Sequence, residues 1–209
     1  MRTVPVDIAA FLDEATRPNR AGRHVIAPAA DQLCVGQALG LKQWVPRWLN
    51  VGTLEQPQFA NVGSLTDNQL GEVIELQRRY GFATHCVGSA IGKKVKVADV
   101  EDGTEHRFVD PRQYLDEVIQ PVVHVADVLR ANAVRIFSFH HPRGSDSRDY
   151  VGVAAERLAP IVEAFATANI TTLLEIEAGL VGNRAETCVE ICRRVGHPRL
   201  LLIWDPGNV

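Results

Sequence analysis

Residues 171–205 read TTLLEIEAGLVGNRAETCVEICRRVGHPRLLLIWD, and this stretch decides the fold. Two short apolar runs, 171–176 and 200–204, flank a segment of helical period at 183–195 that Gly196 and Pro198 close. Strand, helix and strand in that order make a parallel crossover unit, because parallel neighbours need a long connection and a helix supplies it. An acid follows each apolar run, Glu175 in the first and Asp205 after the second. An ionised carboxylate in that position carries a large desolvation cost unless it is paired or binds a cation.

Working outward, the same alternation recurs. Further strands are expected at 24–28, 43–49, 82–87 and 133–139, and further helices at 31–41, 66–80, 111–130 and 150–169, with an amphipathic helix at 6–15. Thr66 can cap the second of the intervening helices and Gly81 can end it, while Asp110-Pro111 has the form of a helix start. Residues 95–108 carry Asp102-Gly103 between alternating residues and predict a hairpin inserted after the third strand, a wall for an active site. Pro46 removes a ladder donor from the second strand and predicts an irregular one.

Six βα steps fit either a doubly wound open sheet or most of an eight-fold barrel. No GxGxxG follows the first strand, which runs into Pro28-Ala29-Ala30-Asp31, and this favours the barrel modestly. With 209 residues and 46% hydrophobic content the chain is read as one domain with an N-terminal helical extension at 1–20. Its 22 basic and 25 acidic residues give a net charge of -3. That balance offers no footprint for nucleic acid or a membrane surface, so a small-molecule partner is expected. No secretory signal opens the sequence, and no apolar run approaches the roughly 20 residues a bilayer crossing needs. Cys34, Cys86, Cys188 and Cys192 lack a framework spacing and read as buried small hydrophobes in a reducing cytoplasm.

In both parallel architectures, sites form at the carboxyl ends of strands. Those ends here carry Ser89, then Arg135 through His140 and His141, then Glu175, then Asp205. Glu175 and Asp205 on adjacent strands would form a hard oxygen site for Mg²⁺ or Mn²⁺, to which His140 or His141 could add a nitrogen. The competing reading gives each acid a salt bridge, with Arg135 as one partner, or a capping role. At most one of the adjacent histidines can face a barrel interior.

Four segments, VGSAIGK at 87–93, RIFSF at 135–139, LLEIEAG at 173–179 and LIWDPGN at 202–208, resemble in order the sugar phosphate isomerase/epimerase family. The resemblance implies an α/β fold, the (β/α)8 TIM barrel of xylose-isomerase-like type. It also implies a divalent metal, Mn²⁺ or Mg²⁺ before Co²⁺ or Zn²⁺, held by a Glu, an Asp, a His and a second Glu on successive strands. Glu175 matches the first ligand and Asp205 the second, and both are expected to act in catalysis. Asn208, Lys93, Ser89, His140 and Arg135 are the expected substrate-binding residues, the substrate being a sugar or sugar phosphate. The implied reaction moves a proton beside a carbonyl through an enediolate.

Two departures from the pattern stand out. The second strand keeps Arg47 and lacks the acid that precedes it in the family, and the chain stops after the sixth strand, before the expected His and second Glu. Six strands leave two sheet edges open, so a truncated barrel is expected to self-associate. The alternatives are a non-catalytic barrel fragment and an abasic-site endonuclease of the same fold, against which the acidic balance counts.

Overall fold

The computed structural model describes residues 26–53 and 55–205. The helix expected at 6–15, residues 24 and 25 of the strand expected at 24–28, and Asn208 lie outside these. The described residues fall into two compact units, 26–89 with 124–132 and 90–123 with 133–205.

In the first unit, helix α1 (Ala29–Ala38) precedes strands β1 (Gln43–Trp44), β2 (Trp48–Asn50) and β3 (Phe59–Asn61). Helix α2 (Asp67–Tyr80) leads to β4 (Ala83–Thr84) and β5 (Cys86–Gly88). The strand expected at 43–49 is split around Pro46. Its first half pairs in parallel with β4, and its second half turns into an antiparallel pair with β3, an element the sequence pattern did not announce. Of the strand expected at 24–28, Pro28 makes one parallel bridge to Asn50.

Helix α2 begins and ends where its chemistry requires. The Thr66 hydroxyl accepts from Gln69 N while the Gln69 side chain accepts from Thr66 N, and Gly81 closes the helix at φ 70°. Gln77 then locks α2 to the strands: its amide oxygen accepts from Thr84 N at 3.1 Å and from the Trp44 indole at 2.9 Å. Trp44, Leu33, Leu49, Leu70, Val73 and Val87 fill the core beside it.

The second unit holds α3 (Pro111–Tyr114), a π-helical turn at Leu115–Ile119, strand β6 (Ala133–Ile136), α5 (Val151–Thr167), β7 (Thr171–Glu175), α6 (Ala185–Val195) and β8 (Leu200–Ile203). Helix α4 (Gln120–Val128) contributes residues to both units. Asp110 caps α3 by accepting from Arg112 N and Gln113 N. The three strands lie in parallel in the order β6-β7-β8, with Ile136 opposite Leu174 and Glu175 opposite Ile203. By register and period-two alternation Val134, Ile136, Thr172 and Leu174 share a face, and all four are buried. Helix α5 packs on α6 and β7 and buries Ala154, Leu158, Ile161, Val162 and Phe165 despite Pro160 in its interior.

Residues 95–108 do not form the expected hairpin. The chain does turn at Gly103, with φ +67°, but Val95 and Arg107 share only a lone parallel bridge. Side chains claim the groups a ladder would use. Lys96 forms an ion pair with Asp102 at 2.7 Å, and the buried Arg157 guanidinium donates to the carbonyls of Lys96, Val97 and Val109 at 2.7, 3.0 and 2.8 Å. The Arg157 guanidinium sits 4.7 Å from the ring centres of both Phe108 and Phe139. Lys96 first, then Thr104, hold the Asp102 carboxyl well below the usual carboxylate range. Among the described residues, no helix is long and apolar enough to cross a membrane.

Candidate functional site

Arg135, Glu175 and Asp205 lie toward or just past the carboxyl ends of β6, β7 and β8. Arg135 stands opposite Leu173, and Glu175 opposite Ile203. By period-two alternation, Arg135, Leu173, Glu175 and Ile203 share a face, and Asp205 follows two positions after Ile203. The Arg135 Nε lies 3.1 Å from Glu175 Oε2, the Glu175 side chain buried and that of Arg135 12% exposed. Burial pushes the Glu175 carboxyl above its ordinary value. Arg135 opposes that push, the negative charges of Asp205 and Glu177 add to it, and Lys93 opposes it again.

A second ion pair lies alongside, with Lys93 Nζ 2.9 Å from Glu177 Oε2. Both cations contact the buried Phe137 ring, Lys93 Nζ at 4.8 Å and Arg135 Cζ at 4.9 Å from its centre. Three carboxylates and two cations leave an excess of one negative charge. Glu177 had escaped notice as a site residue, yet the Glu-Ile-Glu spacing places it on the same side as Glu175 had the strand continued, and that was the available signal.

Backbone geometry holds Lys93 in place. Gly92 has φ +81°, and a Cβ there would come 2.2 Å from the Phe137 carbonyl oxygen, so only glycine lets the loop pass so close to β6. Gly92 N donates to the Tyr114 hydroxyl at 2.8 Å. After β6 the chain takes a left-handed conformation at the buried Phe139, φ +70°, an uncommon place for a bulky side chain. The Ser138 hydroxyl accepts from Gly182 N at 2.6 Å.

The remaining expected residues are placed as follows. Ser89 is fully buried and belongs to the first unit, whereas Lys93 belongs to the second. His140 gives its ring nitrogens to backbone, with Nε2 2.6 Å from the Lys93 carbonyl and Nδ1 3.2 Å from that of Gly179. Its ring stacks on His106 at 3.6 Å. Burial, ahead of the repulsion from His106 and His141, holds the His140 imidazole below its usual range against the raising effect of both carbonyls. His141 turns away toward Ser145 Oγ, 3.1 Å from Nδ1. Burial raises the Cys188 thiol to about 12 and that of Cys192 to about 11, in line with inert packing, but Cys34 is exposed, contrary to expectation, because it lies on the outward side of α1.

Among the described residues, no three His, Cys, Asp or Glu side chains are gathered as a ready metal centre. The donor chemistry of Glu175 and Asp205 nonetheless fits a hard divalent cation. A buried carboxylate pressed by neighbouring negative charge is relieved by a cation, and oxygen ligands suit Mg²⁺ and Mn²⁺. A cavity of about 630 Å³ opens elsewhere, lined by Lys94, Glu105, His106, Arg107, Gln113 and Tyr114 among others, with none of the three carboxylates on its wall. The carboxylate cluster is the better candidate, since it lies at strand ends and concentrates buried charge.

Comparison with known proteins identifies the fold. Residues 54–209 match the family described as xylose isomerase-like TIM barrel. The chain belongs to that family. Its α/β architecture is therefore the xylose isomerase-like TIM barrel. A xylose isomerase-like TIM barrel protein from Mycobacterium smegmatis, solved in complex with magnesium, superposes with a TM-score of 0.62 at 16% identity, covering 99% of this chain and 65% of that one. The probable 3-DHS dehydratase AsbF from Bacillus anthracis gives 0.64 at 14% identity, covering 98% and 63%. A D-allulose 3-epimerase from Methylomonas sp., solved with D-allulose, gives 0.58 at 14% identity, covering 85% and 56%. The chain thus spans less than two thirds of the length of these structures. No curated protein sequence matches it.

Proposed function

We propose that this xylose isomerase-like chain belongs to a metal-dependent isomerase or epimerase of a sugar or sugar phosphate, working in the cytoplasm by proton transfer beside a carbonyl. One observation carries the reading: Glu175 and Asp205 come from neighbouring parallel strands, and the charge of Asp205 is felt at Glu175. The epimerases and the magnesium-bound protein among its structural neighbours support it.

Glu175 and Asp205 would hold the cation. Bound there, Mn²⁺ or Mg²⁺ would supply Lewis-acid polarisation of a carbonyl and its neighbouring hydroxyl. Glu175, its proton affinity raised by burial, is suited to hold a proton at its carboxyl during transfer to and from the substrate carbon. Lys93 and Glu177 present a donor and an acceptor to sugar hydroxyls, and the return face of the proton sets isomerisation against epimerisation. Arg135 holds the Glu175 carboxyl in place and opposes the rise in its proton affinity. Asn208 completes the proposed substrate-binding set.

The test is Mn²⁺ titration of the 209-residue chain followed by exchange of substrate protons with D₂O. Glu175→Gln and Asp205→Asn should each weaken Mn²⁺ binding by roughly tenfold or more. NMR should show deuterium entering the carbon beside a ketose carbonyl only in the Mn²⁺-loaded protein. Mn²⁺ binding indifferent to both substitutions would refute the site, and loss of water from the substrate in place of exchange would favour a dehydratase, which begins with the same proton removal.

A further inference from the structure

His140 makes more connections than any role in substrate contact requires. Its backbone N donates to the Val95 carbonyl at 2.8 Å, its own carbonyl accepts from Val97 N at 2.8 Å, and it forms isolated bridges to Lys96 and Leu180. Its ring adds two contacts, to the Lys93 carbonyl at 2.6 Å and the Gly179 carbonyl at 3.2 Å. Lys93 and Gly179 stand on different segments. The first segment carries the Lys93 ammonium, and the second follows Glu177 by two residues.

We infer that His140 is a positioning residue: its ring donates to the Lys93 carbonyl while its backbone bridges to Leu180 beside the Gly179 turn, and together these hold the Lys93–Glu177 ion pair beside Glu175. The pair needs such help. The Lys93 side chain is 46% exposed and that of Glu177 20% exposed, and a lysine so open to water spends side-chain entropy to stay in one place. Fixing the backbone on both sides removes part of that cost before the pair forms. The stack on His106 sets the plane of the ring, which aims Nε2 at the Lys93 carbonyl. A neutral imidazole has one N–H, and the shorter contact, from Nε2 to the Lys93 carbonyl, takes it; Nδ1 then bears no proton toward Gly179, and the link to that turn is the backbone bridge to Leu180. The inference gives the proposed sugar site its ordered wall and rests on that reading only for the meaning of the pair, not for its existence.

A stability cycle needing neither sugar nor metal tests it. Lys93→Met, Glu177→Gln and the double variant are unfolded in urea, first with His140 present and then in a His140→Phe background, which keeps an aromatic ring over His106 and removes both nitrogens. With His140, the two residues should be coupled by about twofold to fivefold in the unfolding equilibrium, the span measured for partly exposed ion pairs. With phenylalanine the coupling should vanish, and with His140→Gln, which restores a donor, part of it should return. A merely structural histidine would lower overall stability and leave the coupling untouched, and that result overturns the inference, as does an absence of coupling in the parent. If His140→Phe does not fold, the glutamine variant decides alone: coupling intermediate between parent and unity supports the inference, and coupling equal to the parent with the Lys93 amide environment perturbed in NMR overturns it. Failure of the sugar reading would show separately, in the Mn²⁺ and deuterium experiments.

Discussion

Replacing Arg135 with methionine removes the cation from Glu175 while keeping much of the side-chain volume. At 3.1 Å, two unit charges at an effective dielectric of about 20 attract by roughly 5 kcal/mol. Desolvation offsets part of this, and breaking a buried pair by deleting one partner typically costs about 3–5 kcal/mol. That is a large fraction of the about 5–15 kcal/mol by which a domain is stable. The loss should depend on pH. The folded Glu175 carboxyl already lies above its ordinary value, and Arg135 is what holds it down. Without Arg135 it rises further, so the native state keeps a proton that the unfolded chain releases. The penalty is absent below the unfolded value and grows as pH rises through the folded one. Urea midpoints of parent and Arg135→Met should differ little near pH 4 and by the full amount near pH 8. The Arg135→Met/Glu175→Gln double variant should recover much of the loss, since no charge is left alone. A deficit under about 1 kcal/mol at high pH, or an equal one at both pH values, would refute the assignment of this pair as the support of Glu175.

Two further outcomes follow from the packing. Arg157→Met strands three carbonyls and empties the space between Phe108 and Phe139, so it should cost about 3 kcal/mol and speed amide exchange across 95–109; unchanged exchange there would remove Arg157 from its place as organiser of that segment. Leu201, Leu202 and Trp204 are exposed along and after β8, Trp204 at 68%, and such adjacent apolar surface favours association. The 209-residue chain should therefore elute from size-exclusion above monomer mass, and a compact monomer would contradict this.

Legibility in the sequence followed locality. Strands β7 and β8 and helix α2 lie within a residue or so of expectation, because a short apolar run, a capping box and a left-handed glycine each act over a few residues. Glu175 and Asp205 were visible for the same reason: charge at the end of an apolar run is a local anomaly. What stayed hidden depends on partners distant in sequence. The turn of β2 toward β3 is decided by a strand about ten positions on, and the loss of the 95–108 hairpin to Arg157 and the backbone-bound state of His140 by residues tens of positions away. Glu177 and Phe137 joined the site through Lys93, whose position no spacing rule announces.

The wide turn at Leu115–Ile119, where Gln120 N reaches back to the Leu115 carbonyl, acts as a phase adjuster. Tyr114 and Ile119 are both buried though five positions apart, and on a regular α-helix at about 100° per residue they would point some 140° away from each other. The surplus residue absorbs that mismatch, leaving Ile119 and Val122 inward as the helix goes on. Ordinary side-chain exchanges at its outer positions should be tolerated, whereas shortening the turn by a single residue would swing everything downstream around the axis and expose that stripe to water.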